Sequence, residues 1–260
     1  GSARVSYQLD EEDKYRAFAG VSQAFRAPGL SDLSRLDGAR TNEQEVPSPD
    51  LEPEKFLTYE VGLKANLGNF RGQVSYFYND VSDLIQRSPN GNVLPSGDLE
   101  VVKFNSGQGY IQGVELDFNY LLTEQVELFG GFAYQDSSVS TFPTSAPVLV
   151  DEYVTRTLPT NGYFGARWES IDESLWFEGI VRIVDTADRL NTRDSRDTSR
   201  IPPGGTPGYT LTTLRSGWQV NDNVLITSGI ENIFDQAYRA HGSGQNEPGL
   251  NFYLGAEVKF

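Results

Sequence analysis

The last twelve residues, GLNFYLGAEVKF (249–260), alternate without a break. Leu250, Phe252, Leu254, Ala256, Val258 and Phe260 are apolar. Gly249, Asn251, Gly255, Glu257 and Lys259 between them are small, polar or charged, with Tyr253 the one aromatic. Successive side chains on a β-strand point to opposite faces, so this period of two predicts a two-faced strand. The pattern recurs upstream. FLTYEVGLKANL (56–67) sets Leu57, Tyr59, Val61, Leu63, Ala65 and Leu67 against Thr58, Glu60, Lys64 and Asn66. GVELDFNYLL (113–122), VELFGGFAY (126–134), NGYFGARWE (161–169) and LWFEGIVRI (175–183) read the same way. No helix-period stretch competes with them.

About eleven strands are predicted, over roughly 2–9, 14–26, 56–67, 70–87, 100–122, 125–138, 154–169, 174–188, 208–220, 223–240 and 249–260. The connections alternate between tight (10–13, 68–69, 123–124, 170–173, 221–222) and long (27–55, 88–99, 139–153, 189–207, 241–248). An antiparallel meander collects all tight turns at one end and all long loops at the other. That asymmetry is the up-and-down arrangement of outer-membrane β-barrels, with periplasmic turns and extracellular loops.

The direction of the apolar face separates a membrane barrel from a soluble one. Three features point it at lipid. The opposite face is repeatedly charged. Tyr59, Tyr134, Trp168, Trp218 and Phe260 sit near strand ends on the apolar face, as interface girdles do. Several strands reach the ~9–11 residues needed to cross a bilayer. The soluble rival, an eleven-stranded can, requires a central helix that the sequence does not show. No apolar run approaches the ~20 residues of a membrane helix, which says nothing against a barrel. Cysteine is absent, so a disulfide framework and a thiolate metal site are excluded. The net charge of −15 argues against nucleic acid as a partner while leaving room for a local basic patch. The terminal Phe260, closing an alternating strand, is the kind of end that the outer-membrane assembly machinery reads.

Four stretches, in order, carry a resemblance: FRAPGLSDL (25–33), SPDLEPEKFLTYEVGLK (48–64), GYIQGVELDFNY (109–120) and ENIFDQAYRAHGSGQNEPGLNFYLGAEVKF (231–260). Together they resemble TonB-dependent outer-membrane receptors. The resemblance implies a bacterial outer-membrane location and a barrel of 22 strands with a plugged lumen. Residues 1–260 would be its C-terminal half, with the plug domain and the first half of the barrel absent from this chain. It further implies TonB-driven uptake of a scarce nutrient, an iron chelate of the siderophore type or another small ligand. The implied partners are the lipid bilayer and lipopolysaccharide, the remainder of the barrel and plug, TonB through the N-terminal part, the assembly machinery and the small-molecule ligand. The alternative is a passive pore, or a structural or surface-binding barrel without a plug. FRAP followed by an NPNL-type box is familiar from haem receptors of this family. Here the box reads SPDL, and residues 29–47 hold no histidine, so haem ligation by that route is unsupported. No cofactor is expected.

Candidate ligand contacts fall on the long loops. DRLNTRDSRDTSR (188–200) carries Arg189, Arg193, Arg196 and Arg200, and guanidinium matches carboxylate and phosphate bidentately. His241, the only histidine, lies on the last long loop, and Arg239 stands just before it at the end of the strand expected over 223–240. These six are the expected contacts for an anionic ligand. The competing reading of 188–200 is a mixed-charge loop whose Asp residues neutralise its arginines. His241 beside Ser243 lacks a triad, so the chain is not read as an enzyme. No metal site is expected: the acidic segment 32–54 lacks calcium-loop spacing and is read as solvated surface.

Overall fold

A computed structural model describes residues 1–260. The spine is one antiparallel meander in strict chain order. It runs through β1 (Ser2–Gln8), β2 (Tyr15–Arg26), β5 (Glu54–Asn66), β6 (Phe70–Val93), β7 (Leu99–Thr123) and β8 (Val126–Thr141). It continues through β10 (Asn161–Glu169), β11 (Leu175–Val184), β12 (Tyr209–Asn221), β13 (Val224–Glu231) and β14 (Asn251–Val258). Three short strands lie off this path: β3 (Asp37–Gly38), β4 (Glu43–Glu45) and β9 (Val150–Glu152). β4 pairs with β7 in parallel, an exception to the antiparallel order. Two one-turn helices, α1 (Leu30–Leu33) and α2 (Thr192–Arg196), stand in the long loops, where the sequence suggested none. Neither comes near the length of a membrane-crossing helix.

The register places the alternating sets where the period of two requires. Tyr59 pairs with Val21 and Tyr78, and Trp168 with Val126 and Phe177, all on the apolar face. That face is open to its surroundings: Phe252, Leu254, Phe164 and Phe177 are all exposed. Two polar groups on it satisfy each other, since the Ser216 and Ser228 hydroxyls lie 2.8 Å apart. The opposite face carries Arg4 paired to Glu60, and Arg215 3.8 Å from Glu178. Large rings on this face lie down over glycines of the neighbouring strand. Phe18 covers Gly62, Phe129 covers Gly165 and Trp176 covers Gly217. A Cβ at Gly217 would fall 2.3 Å from the Trp176 indole, so only glycine fits there.

Several boundaries differ from the sequence reading. The expected loop 88–99 is mostly strand: β6 and β7 run on as a long hairpin closed by a turn at Leu94–Asp98. The strand expected over 223–240 stops at Glu231, because Asn232 and Asp235 adopt left-handed φ of 50° and break the ladder. The strand expected over 154–169 begins only at Asn161. Residues 32–54 are also not uniformly solvated. Glu43, Glu45 and Glu54 are buried, each facing arginine or lysine.

Candidate functional site

The long loops fold back over the charged face and border an open cavity of about 740 Å³. Its floor is strand: Phe56 from β5, Val81 from β6, Ile111 from β7 and Val139 from β8. These side chains share the charged face, but at its loop end, where they form an apolar patch. The walls are cationic. Arg87 and Lys103 rise from the β6–β7 hairpin, Arg35 and Arg40 come from the segment between α1 and β4, and Arg193 and Arg196 come from α2. Two carboxylates, Glu45 and Glu152, face these six cations, and Glu43 and Asp32 pair with Arg40 and Lys103, leaving a surplus of two positive charges in a chain of net charge −15.

Local hydrogen bonds fix each wall. Asn191 caps α2 by accepting from the Asp194 N–H at 2.8 Å. Asp194, itself buried, accepts from the Thr155 hydroxyl at 2.7 Å and the Arg156 N–H at 2.8 Å. Glu152 accepts from the backbone and hydroxyl of Thr192. The helix is thereby fastened to the loop after β9, with Arg193 and Arg196 turned to the cavity. Opposite, Arg40 donates to the carbonyls of Phe142 and Thr144, both at 2.9 Å, and to Glu43. Lys103 donates to Ser31 O at 2.9 Å and Asp32 Oδ1 at 3.1 Å. Burial alone would raise the Asp32 carboxyl. Hydrogen bonds from the Gly29 N–H, Lys103 and Arg26 outweigh it and hold Asp32 below the ordinary range.

Glu43 and Asp32 thus neutralise Arg40 and Lys103 from behind the wall. Arg193 and Arg196 have no such partner: Arg196 reaches only the Pro143 carbonyl, at 3.5 Å. They are the cations free to meet a bound anion, and the arrangement suits a small anionic molecule with an apolar body.

Of the six residues expected from sequence, Arg193 and Arg196 line the cavity and the other four do not. Arg189 donates to the carbonyls of Gln135 and Leu158 and stacks over Tyr134, 5.4 Å from the ring centre. Arg200 pairs with Asp197 at 3.1 Å, and Arg239 donates to Asn246 at 3.0 Å. His241 Nδ1 lies 2.9 Å from the Thr206 hydroxyl. The terminal Phe260 is fully exposed, beyond the end of β14. Sequence reasoning missed Arg35, Arg40, Arg87 and Lys103. They are far apart in the chain, and only the β6–β7 hairpin and the parallel β4–β7 pairing gather them.

Comparison with known proteins follows the same lines. Residues 1–233 match the family model described as TonB dependent receptor-like, beta-barrel. The chain is 24% identical over 260 residues to the vitamin B12 transporter BtuB of Photobacterium profundum, covering 98% of this chain and 37% of that protein. It is 25% identical over 261 residues to an iron-regulated outer membrane virulence protein of Vibrio cholerae, covering 93% of this chain and 36% of that one. Among solved structures it superposes on the copper transporter OprC with a TM-score of 0.74 at 21% identity, over all of this chain and 39% of that one. The siderophore receptor PirA from Acinetobacter baumannii gives 0.75 at 18% identity, over all of this chain and 40% of that one. The chain therefore spans well under half the length of the relatives it matches. The meander, its two-faced strands and the family match over most of its length make this chain part of the outer-membrane β-barrel of a TonB-dependent receptor.

Proposed function

We propose that this chain forms the ligand-receiving wall of a receptor for TonB-dependent uptake of a small anionic ligand, such as an iron chelate. The observation that carries the reading is the surplus of positive charge over the cavity, with Arg193 and Arg196 on its wall and Arg196 reaching only a carbonyl. Relatives named for vitamin B12, iron regulation, siderophore and copper support uptake of scarce nutrients as the class. The chain is further proposed to be the C-terminal part of a closed barrel. β1 and β14 each pair on one side only, and hydrocarbon cannot hydrogen-bond such edges, so strands beyond this sheet complete it. A plug and a TonB-contact segment belong to the same proposal.

The test is uptake by cells carrying the full-length receptor, over a panel of chelates graded from neutral to polyanionic. Each charge-assisted hydrogen bond is worth about 1.5–3 kcal/mol, so losing two predicts a fall of roughly tenfold or more. Arg193→Ala with Arg196→Ala is therefore expected to cut uptake of anionic members while neutral ones are unaffected. Uptake of the anionic members by the variant at the level of the unaltered receptor contradicts the anionic site. Uptake that persists without TonB points instead to a passive pore.

A further inference from the structure

One carboxylate in the cavity wall is held differently from its neighbours. Glu45 is 1% exposed. Lys103, Arg87 and Arg35 approach it at 3.0, 3.6 and 3.9 Å. Yet none of them is aligned to donate a hydrogen bond to either carboxylate oxygen. Buried carboxylates are ordinarily both paired and hydrogen-bonded. Those in the same segment are: Glu43 accepts from the Arg40 N–H at 3.2 Å, and Glu54 from the Arg26 guanidinium at 2.8 Å and the Ile85 N–H at 2.9 Å. Glu45 is therefore retained by charge without directional bonding. Its carrier is a short hairpin, held to the rest of the wall chiefly by Arg40, which donates to the Phe142 and Thr144 carbonyls, and by a few backbone bonds. β4 holds to β7 through three residue pairs and to β3 through two. The turn between β3 and β4, with Thr41 at its tip, is exposed.

We propose that Glu45 is an exchangeable internal counter-ion. An acidic group of the ligand, carboxylate or phosphate, takes its place among Arg35, Arg87 and Lys103, and the β3–β4 hairpin moves outward with the displaced side chain. Exchange of one anion for another keeps the three cations compensated throughout, which simple departure of Glu45 would not. Arg193 and Arg196, across the cavity, supply the initial attraction. Ligand occupancy is thereby converted into the position of an exposed loop. This proposal rests on the anionic-ligand reading above.

The experiment uses the full-length receptor in detergent, with phthalate as the carboxylate probe and inorganic phosphate as the second arm. Binding is followed by calorimetry, and a nitroxide on Thr41→Cys reports the hairpin. Glu45→Gln keeps the shape and removes the competing charge, so it is expected to tighten binding of whichever anion the site takes by about fivefold or more. Saturating that anion should mobilise the label in the unaltered receptor, and the label should already be mobile in Glu45→Gln. Unchanged or weaker binding by Glu45→Gln, or a label that stays fixed at saturation, overturns the exchange. If Glu45→Gln fails to fold, the label in the unaltered receptor decides alone. Binding that is lost in Arg193→Ala with Arg196→Ala but indifferent to Glu45→Gln overturns the exchange and leaves the anionic site standing. Absence of binding by every form to both anions overturns the two together.

Discussion

The Thr206 hydroxyl lies 2.9 Å from Nδ1 of His241, while the other ring nitrogen, Nε2, is buried without a hydrogen-bond partner. The histidine thus ties the turn before β12 to the last long loop, in a place where a second ring proton has nowhere to go. Burial pushes its pKa below the ordinary histidine value; Asp194 opposes this and Arg156 adds to it.

A pH dependence follows from that depression. The unfolded chain takes up a proton near the ordinary value of 6.5, and the folded loop does so only at lower pH. Between those values the unfolded state binds more protons, so stability rises with pH. Order in the 201–208 and 241–248 segments is fully present above pH ~6.5 and declines as pH falls toward the depressed value. Hydrogen exchange of these segments between pH 7.5 and 5 should show it, and His241→Gln should flatten the profile. A flat profile in the unaltered protein contradicts this account.

Arg189 belongs to the framework. Its guanidinium is used on two carbonyls and on the Tyr134 ring. Arg189→Ala leaves those carbonyls short of a donor and should lower stability by roughly 1–3 kcal/mol in urea titration. Its effect on anion affinity should be small beside that of Arg193→Ala with Arg196→Ala. The reverse ranking would place the ligand elsewhere.

Trp176 over Gly217 is the ring-on-glycine contact best suited to a test, because the ring is also pinned by Arg167, 4.4 Å from its centre. Gly217→Val inserts a side chain where the indole lies. A loss of roughly 1–3 kcal/mol is expected, read by tryptophan fluorescence during unfolding. Wild-type stability would mean that the ring does not rest there.

The last strand offers a test of facing. Leu254→Arg puts a charge on the apolar face and should cost about 2–4 kcal/mol in lipid vesicles. Glu257→Arg, on the opposite face and already 60% exposed, should change stability by no more than about 0.5 kcal/mol. Equal costs would remove the assignment of faces.

The strands were legible because their period of two extends over eight residues or more, as in 56–67 and 249–260. The loops were not, for local reasons. Pro89 and the Asn90-Gly91 pair read as punctuation, yet the β6–β7 hairpin passes through them with shifted register. Glu43–Glu45 is too short a strand to show a period, and its acidic sequence gives no hint that Lys103 and Arg87 wait for it. Arg193 and Arg196 were visible as a run of arginines. What separates them from Arg189 and Arg200 is the Asn191 cap and the buried Asp194, which turn α2 so that those two face the cavity.

The cationic cavity as an anion site is tested most directly by anomalous diffraction from crystals of the full-length receptor soaked in selenate. A selenium peak within hydrogen-bonding reach of Arg193 and Arg196, and its loss in Arg193→Ala with Arg196→Ala, is the predicted result. A peak at Arg200 or Arg239 with the cavity empty would contradict it.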